Sequence, residues 1–369
     1  MHKPRVVLIT GHYWNSKRKA GFHWLADAFH NLDWEVLFFT ASLSWLSYLR
    51  RDHRLRYFEF WGERNVLCKV KPGFFSYVWF TPFHPANLRF ALLNRLSKRL
   101  FASYGELPLG EVEEWITSAD IFVFESTPGL MLFHKFKSLN PQAKFIYRAS
   151  DDLRLLKNHP VVVELENAIL SEFDVVSVPS QYMYENFKDR AQNLYLHYHG
   201  IQKELFDRSY LSPFDKAKSP NFVFVGISRL DYDFLQRAAH LLLEAQFHIV
   251  GPFEPKIRNS NIHFYGEQPF INTIPFIKCA DVGLATWEYS PGAESFSDTL
   301  KIIQYSYVRL PIIAPDFLCS SRPNVISYRP GDDASIAEAL RKALEMDRST
   351  IPTSDIYSWE ELVQALLEG

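Results

Sequence analysis

Short apolar runs rich in Val, Ile and Phe alternate along this chain with segments of helical period, and that alternation is the mark of parallel α/β layers. Arg5–Thr10 reads as a strand running into the loop Gly11-His12-Tyr13-Trp14. A helix from about Lys17 to Leu32 and a strand at Glu35–Phe39 follow. Further strands are expected at Ile121–Phe124, Lys144–Arg148 and Val175–Val178. Helices near Leu130–Leu139, Val161–Phe173 and Gln181–Lys188 lie between and after them, and the series closes near Asn193–Ile201.

A polar, proline-bounded stretch from Ser209 to Pro220 then breaks the pattern and reads as a linker. Beyond it a second series begins, with strands expected at Asn221–Val225, Phe247–Val250, Ile262–Tyr265, Asp281–Ala285 and Ile312–Ala314. Its helices fall at Phe234–Ala245, Ile271–Cys279, Asp298–Val308, Asp333–Met346 and Trp359–Leu367. The expected architecture is two Rossmann-like doubly wound domains facing a cleft. Residues 1–208 form the first, 209–220 the linker, 221–355 the second, and 356–369 a closing helix. Ligands of such sheets sit beyond the carboxyl ends of the strands, so the loops after strands are where chemistry is sought.

Composition narrows the class. With 47% hydrophobic and 22% charged residues, 369 residues suffice for two cored domains and exclude a disordered chain. Cys68, Cys279 and Cys319 are too scattered for a metal pair and suggest a reducing compartment. No apolar run reaches the ~18 residues of a membrane span, and Val6–Thr10 is too brief for a signal peptide, so a cytoplasmic body is expected. The net charge of −2 hides an asymmetry: residues 50–104 carry 11 Lys/Arg against 3 Asp/Glu, and residues 220–369 carry 12 against 19. The first stretch suits an anionic surface.

In the second half the informative segment runs from Ala285 to Tyr305, a polar loop entering an apolar helix with Ser297 as the expected N-cap. Lys301 and Gln304, three apart, share a face. A lysine on the first turn of a buried helix calls for a partner. A diphosphate at the helix N-terminus would supply one, as would an ion pair with Asp298 at the surface. Ser228 and Arg229 follow the first strand of the second series, and Glu267 and Gln268 follow a later one. These loops could contact a nucleotide or be ordinary turns.

In the first half, Asp151 and Asp152 follow the strand Lys144–Arg148. A carboxylate there could take the proton of an acceptor hydroxyl, or both could cap the next turn. Asp231 and Asp233 look like a metal-binding pair, but capping of the helix at Phe234 accounts for them. No cluster has metal-ligand spacing, so neither metal nor cofactor is expected. His12 and His199 are candidates for the acceptor side, as is His197. From Lys69 to Tyr104, nine aromatics mix with basic residues. Leu88, Leu92, Leu96 and Leu100 line one side of an expected helix edged by Arg95, Lys98 and Arg99. That pattern suits an anionic membrane surface; packing of the stripe on the sheet is the rival, and no nucleic-acid motif accompanies it.

Taken together, Tyr147-Arg-Ala-Ser-Asp-Asp152, Gly266-Glu-Gln268, Leu300-Lys-Ile-Ile-Gln-Tyr305 and Leu310-Pro311 resemble the glucuronosyltransferases of xanthan biosynthesis, inverting GT-B enzymes. The resemblance covers essentially the whole chain. It implies Asp151, with Asp152 as second choice, as the base, and Lys301 with Gln304 at the donor phosphates. Leu300, Glu267 and Gln268 fall among the donor contacts, with Trp287 or Tyr289 as the aromatic beside the donor. It further implies UDP-glucuronate as co-substrate, a polyprenyl-diphosphate-linked oligosaccharide as acceptor, and peripheral attachment at the cytoplasmic face of the inner membrane. The glutamates expected eight positions apart in retaining enzymes are missing: Phe296 and Ile302 follow Glu288 and Glu294 at that spacing, which favours inversion. A UDP-sugar epimerase and a non-catalytic two-domain sugar-binding protein are the competing readings.

Overall fold

In the first half of the chain, eight strands form one sheet: β1 (Arg5–Thr10), β2 (Glu35–Ser44), β3 (Leu67–Lys71), β4 (Phe74–Thr81), β5 (Ile121–Glu125), β6 (Lys144–Arg148), β7 (Val175–Val178) and β8 (Leu194–Leu196). Their order is β3-β4-β2-β1-β5-β6-β7-β8, parallel throughout except for β3, which pairs antiparallel with β4. The second half holds six strands: β9 (Asn221–Val225), β10 (Gln246–Val250), β11 (Ile262–Phe264), β12 (Val282–Leu284), β13 (Ile312–Pro315) and β14 (Val325–Tyr328). They pair, all parallel, as β11-β10-β9-β12-β13-β14. The computed structural model describes residues 3–156, 158–215 and 220–369.

Central strands such as Val6–Thr10, Val36–Ser44 and Ile121–Glu125 are buried along their whole length. Helices cover both sheet faces, which is why these runs read as continuously apolar rather than alternating. The β3–β4 hairpin is not foreseen from sequence. Its turn at Gly73 has φ 73°, and β4 is almost wholly buried against β2. Part of the aromatic stretch read as a surface patch is therefore core.

Two compact units emerge. One takes the described residues up to Pro179 with Met183–His197 and Trp359–Gly369; the other takes Ser180–Tyr182 and Tyr198–Ser358. The boundary thus falls at His197–Tyr198 rather than after residue 208. The closing helix, Trp359–Glu368, belongs to the first unit. It packs Trp359, Leu362, Val363 and Leu366 inward. Asn31 donates to Glu360 at 3.0 Å, and the Lys144 ammonium donates to the Leu367 carbonyl at 2.6 Å. Of the expected linker, residues 216–219 lie outside the described residues. Phe214 belongs to the core of the second unit, stacked 4.2 Å from His248.

The helix entering from the polar loop begins at Leu300, not Asp298, and ends at Tyr307. Its N-cap is Thr299, whose side chain makes no capping bond; Ser297 instead donates to Asp298. Tyr305 fixes this helix to the sheet, accepting from the Val225 N–H at 2.9 Å and donating to the Val223 carbonyl at 3.3 Å. Gly283 on β12 makes the fit possible, because a Cβ there would lie 2.4 Å from the Tyr305 ring. Gly283→Ala should lower the unfolding free energy by about 1–3 kcal/mol, the usual cost of overpacking a rigid ring. Urea denaturation measures it, and unchanged stability would mean the ring is not held there.

Candidate active site

In the first unit the sheet order places the ends of β1, β5 and β6 side by side. Three groups of interest follow from it: His12 after β1, Glu125 as the last residue of β5, and Asp151 after β6. Glu125 is buried and accepts hydrogen bonds from the Thr10 hydroxyl and, at 3.1 Å, from the Gly11 N–H. His12 Nε2 lies 3.2 Å from Glu125 Oε1. The loop carrying His12 is itself fixed. Thr40 donates to the His12 carbonyl at 2.7 Å, and the Arg54 guanidinium donates to the carbonyl of Gly11.

These contacts set proton affinities. Burial would raise the Glu125 carboxyl, but His12, Thr10 and the Gly11 N–H together hold it below the ordinary range. Burial would lower His12, yet Glu125 outweighs it and the imidazole binds its proton more tightly than usual. Asp151 is pushed up to about 6, first by burial and then by the charge of Glu125, with His12 opposing and Asp152 adding. Among the described residues the Asp151 carboxylate makes no hydrogen bond or ion pair; its backbone N–H donates to Ser126 Oγ at 3.2 Å.

Asp152 is in a different position. It is buried, accepts from the Arg154 N–H at 3.0 Å, and forms an ion pair with the Arg154 guanidinium at 2.6 Å. It closes its turn and is already neutralised. Of the adjacent pair, Asp151 is the one with an open carboxylate and a proton affinity suited to a base near neutral pH.

In the second unit Lys301 stands on the first turn of the 300–307 helix. Its ammonium lies 3.4 Å from the centroid of the Phe224 ring, and a Cβ on Gly226 would come within 3.1 Å of it. A side chain there would force the ammonium or the Phe224 ring to give by a few tenths of an ångström. The adjoining loop is tightened by Gly251, whose φ of 154° brings its backbone against the Gly226 carbonyl. Burial alone lowers Lys301 to about 7. The expected alternative, an ion pair with Asp298, is not what the structure holds. Asp298 accepts instead from Ser320 at 2.9 Å, from Ser297 at 3.2 Å and from the Gln181 N–H at 3.4 Å. Lys301 thus presents a poorly solvated amine beside the uncapped amides of a helix N-terminus. Gln304, one turn on, is buried, and Leu300 is partly exposed.

The other donor-side candidates gather in two places. Arg229 lies over Trp287 and Phe296, at 5.7 and 5.4 Å, and donates to Ser290. Its neighbour Leu230 bridges to Trp287, so Arg229 and Trp287 are brought together, with Ser228 on the same loop. Tyr289 is exposed and meets Phe317 edge-on at 5.3 Å. Glu267 is exposed, and Gln268 spends its amide on the Tyr265 carbonyl at 2.9 Å, tying its own turn. His199 falls in the second unit, not with His12 in the first. His197 sits 3.1 Å from Ser177 Oγ and is lowered to about 4 by burial and by Arg148, a neutral structural histidine. Asp231 caps the 232–241 helix through the Phe234 N–H at 2.9 Å, while Asp233 pairs with Arg237.

Sequence reasoning missed Glu125, Thr10 and Phe224. The signal for Glu125 was present: a carboxylate ending the otherwise apolar run Ile121–Phe124 must find a partner or face the ligand. Phe224 gave no sign, since a phenylalanine in a central strand reads as core.

Against known proteins, residues 8–179 match the family model described as the N-terminal domain of the glucuronosyltransferase GumK. The whole chain is 26% identical over 371 residues to the UDP-glucuronate:glycolipid 2-beta-glucuronosyltransferase of Xanthomonas campestris pv. campestris, covering 100% of this chain and 90% of that protein. Among solved structures, Arabidopsis thaliana UGT89C1 complexed with quercetin superposes with a TM-score of 0.55 at 12% identity, over 100% of this chain and 99% of that one. Anabaena HepE in complex with UDP and glucose gives 0.52 at 13% identity, over 99% and 95%. The structural likenesses show the GT-B fold, and the sequence likeness, to the GumK N-terminal domain over residues 8–179 and to the Xanthomonas protein over the whole chain, is to glucuronosyltransferases.

Proposed function

We propose that the chain transfers glucuronate from UDP-glucuronate to a sugar hydroxyl of a lipid-linked oligosaccharide in exopolysaccharide synthesis, with inversion and without a metal. The observation that carries the reading is the open Asp151 carboxylate at the end of β6, raised to about 6 beside His12 and Glu125. In the proposed step Asp151 takes the proton of the acceptor hydroxyl while its oxygen attacks the anomeric carbon. The bond from that carbon to the diphosphate breaks, and UDP leaves with the electron pair. The Lys301 ammonium and the amides at the start of its helix stabilise the charge that develops on UDP. A β-linked product from an α-linked nucleotide sugar requires inversion, and the Xanthomonas relative is a 2-beta-transferase of UDP-glucuronate. Trp287 with Arg229, and Tyr289, are the candidate walls around the donor, with Ser228, Glu267 and Gln268 at its nucleoside end.

A lipid-linked acceptor calls for access to a membrane, and the 91–102 helix supports that. It is held to the 160–169 helix by one face: Lys98 pairs with Glu164 at 2.6 Å, Ser97 and the Asn94 carbonyl meet His159, and Phe101 packs edge-on against the same ring. Leu92, Leu96 and Leu100 are exposed at 66%, 71% and 52%, so this part of the stripe is not packed on the sheet, while Leu88 precedes the helix and is half-buried. Arg95 and Arg99 are exposed with them, as are Phe90 and Leu93. Each leucine entering an apolar phase contributes about 1.5–3 kcal/mol, and the arginines add attraction to anionic lipid. No helix among the described residues is long and apolar enough to cross a membrane. The proposed attachment is peripheral, at the cytoplasmic face of the inner membrane.

Three outcomes follow. Asp151→Asn should lower kcat about 10²–10⁴-fold while UDP binding, read by calorimetry, stays close to wild type; full turnover would remove Asp151 as the base. Because free Lys301 titrates near 7, UDP should bind with proton uptake around neutral pH, and its affinity should fall as pH rises above that value. Lys301→Met should abolish that pH dependence and weaken binding at least about tenfold; equal affinity at pH 6 and pH 8.5 in the wild type would refute the phosphate role. Replacing Leu92, Leu96 and Leu100 together by serine should release the protein from anionic vesicles in flotation without loss of thermal stability. Undiminished flotation would place the contact elsewhere.

A further inference from the structure

We propose that His12 and Glu125 form a charge-compensated positioning pair for Asp151, in which Glu125 holds the imidazole protonated and the imidazolium keeps Asp151 free to accept a proton. The proposal deepens the reading of Asp151 as the base and rests on it. Three adjacent parallel strands end at the same level; Glu125 is the last residue of β5, and His12 and Asp151 sit on the short loops that leave the ends of β1 and β6 beside it. Glu125 is buried at 6% exposure on the last residue of β5, while the His12 ring keeps 42% of its surface.

The hydrogen bonding shows what the pair is built for. One Glu125 oxygen takes the Thr10 hydroxyl and the Gly11 N–H; the other takes His12 Nε2. A carboxylate gripped by three donors stays ionised although buried, and an ionised carboxylate against an imidazole favours imidazolium. Without His12 that buried negative charge would act unopposed on Asp151, one strand away, and a base meant to be ionised at neutral pH would hold a proton instead. His12 does not have to touch the acceptor to perform this role.

Every charge facing the site enters the balance. From β5 comes Glu125 and from the β1 loop His12. Asp152 adds a weaker negative charge and is itself paired with Arg154. Arg54, which donates to the Gly11 carbonyl, disfavours His12 protonation, and Glu125, with a smaller push from Asp151, keeps the imidazole charged. The neighbouring His23 is drawn down to about 4 by burial and contributes no charge near neutral pH.

The test is the acid limb of kcat/KM for the acceptor, which reports the base in the free enzyme. His12→Gln should move that limb to higher pH by about one unit, the scale of removing an opposite charge from a partly buried carboxylate. Glu125→Gln should move it to lower pH, and the double variant should lose the upward shift of His12→Gln. A purely structural role would lower the plateau and leave the limb in place, with the double variant worse than either single one. An unmoved limb in both single variants, or an upward shift that persists in the double variant, overturns the proposal. Asp151→Asn measured alongside separates the two ideas. Turnover retained there sinks the base itself, whereas loss there with unmoved limbs in the other variants sinks only the pair.

Discussion

A parallel sheet covered on both faces has nowhere to hold a charge except at its strand ends, and this constraint organises both units. β5 is buried throughout and β1 and β6 from their second residue on; the strands end on Thr10, Glu125 and Arg148, and Asp151 lies on the loop just past Arg148. Parallel pairing sends all carboxyl ends the same way, so the last strand residues and the short loops that follow them collect in one place. The second unit repeats the arrangement: β9 leads into Gly226, and the 300–307 helix enters beside it with Lys301 on its first turn.

The two sites differ in how they handle buried charge. Around Asp151 charge is balanced internally, with His12 against Glu125 and Arg154 against Asp152, leaving one carboxylate poised rather than fixed. Around Lys301 charge is left unbalanced. The ammonium has an aromatic face beneath it and a helix N-terminus beside it. A self-satisfied site suits a group that must gain and lose a proton; an unsatisfied cation suits the temporary arrival of a polyanion.

Packing secures both sites. Tyr305 ties the helix of Lys301 to β9 through two backbone hydrogen bonds, and Gly283 leaves room for the ring. Thr40 and Arg54 hold the carbonyls of His12 and Gly11, so the loop after β1 has little freedom. The exposed leucines on the 91–102 helix form the counter-example. They are apolar surface that the fold leaves uncovered, although His159, Ser97 and Lys98 hold the same helix firmly by its other face.

The α/β class, the two series of strands, and the positions of Asp151 just past a strand and of Lys301 on the first turn of a helix were all legible from periodicity and from the order of strand, loop and helix. Local pattern suffices there, because a run of β-branched and aromatic residues bounded by polar loops has few other fates. The β3–β4 hairpin escaped notice because its pairing partner, β2, lies far away in sequence. The membership of the last helix and of Phe214 also depended on which apolar face each met, and no local signal encodes that. So it was with Glu125 and Phe224, a carboxylate and a ring that look like strand residues until the sheet sets them beside His12 and Lys301. Which of two adjacent aspartates is open was decided by Arg154 reaching back to Asp152. Sequence determined which charges the chain must place; only tertiary structure decided which of them neutralise one another, because that depends on distances across strands and not along them.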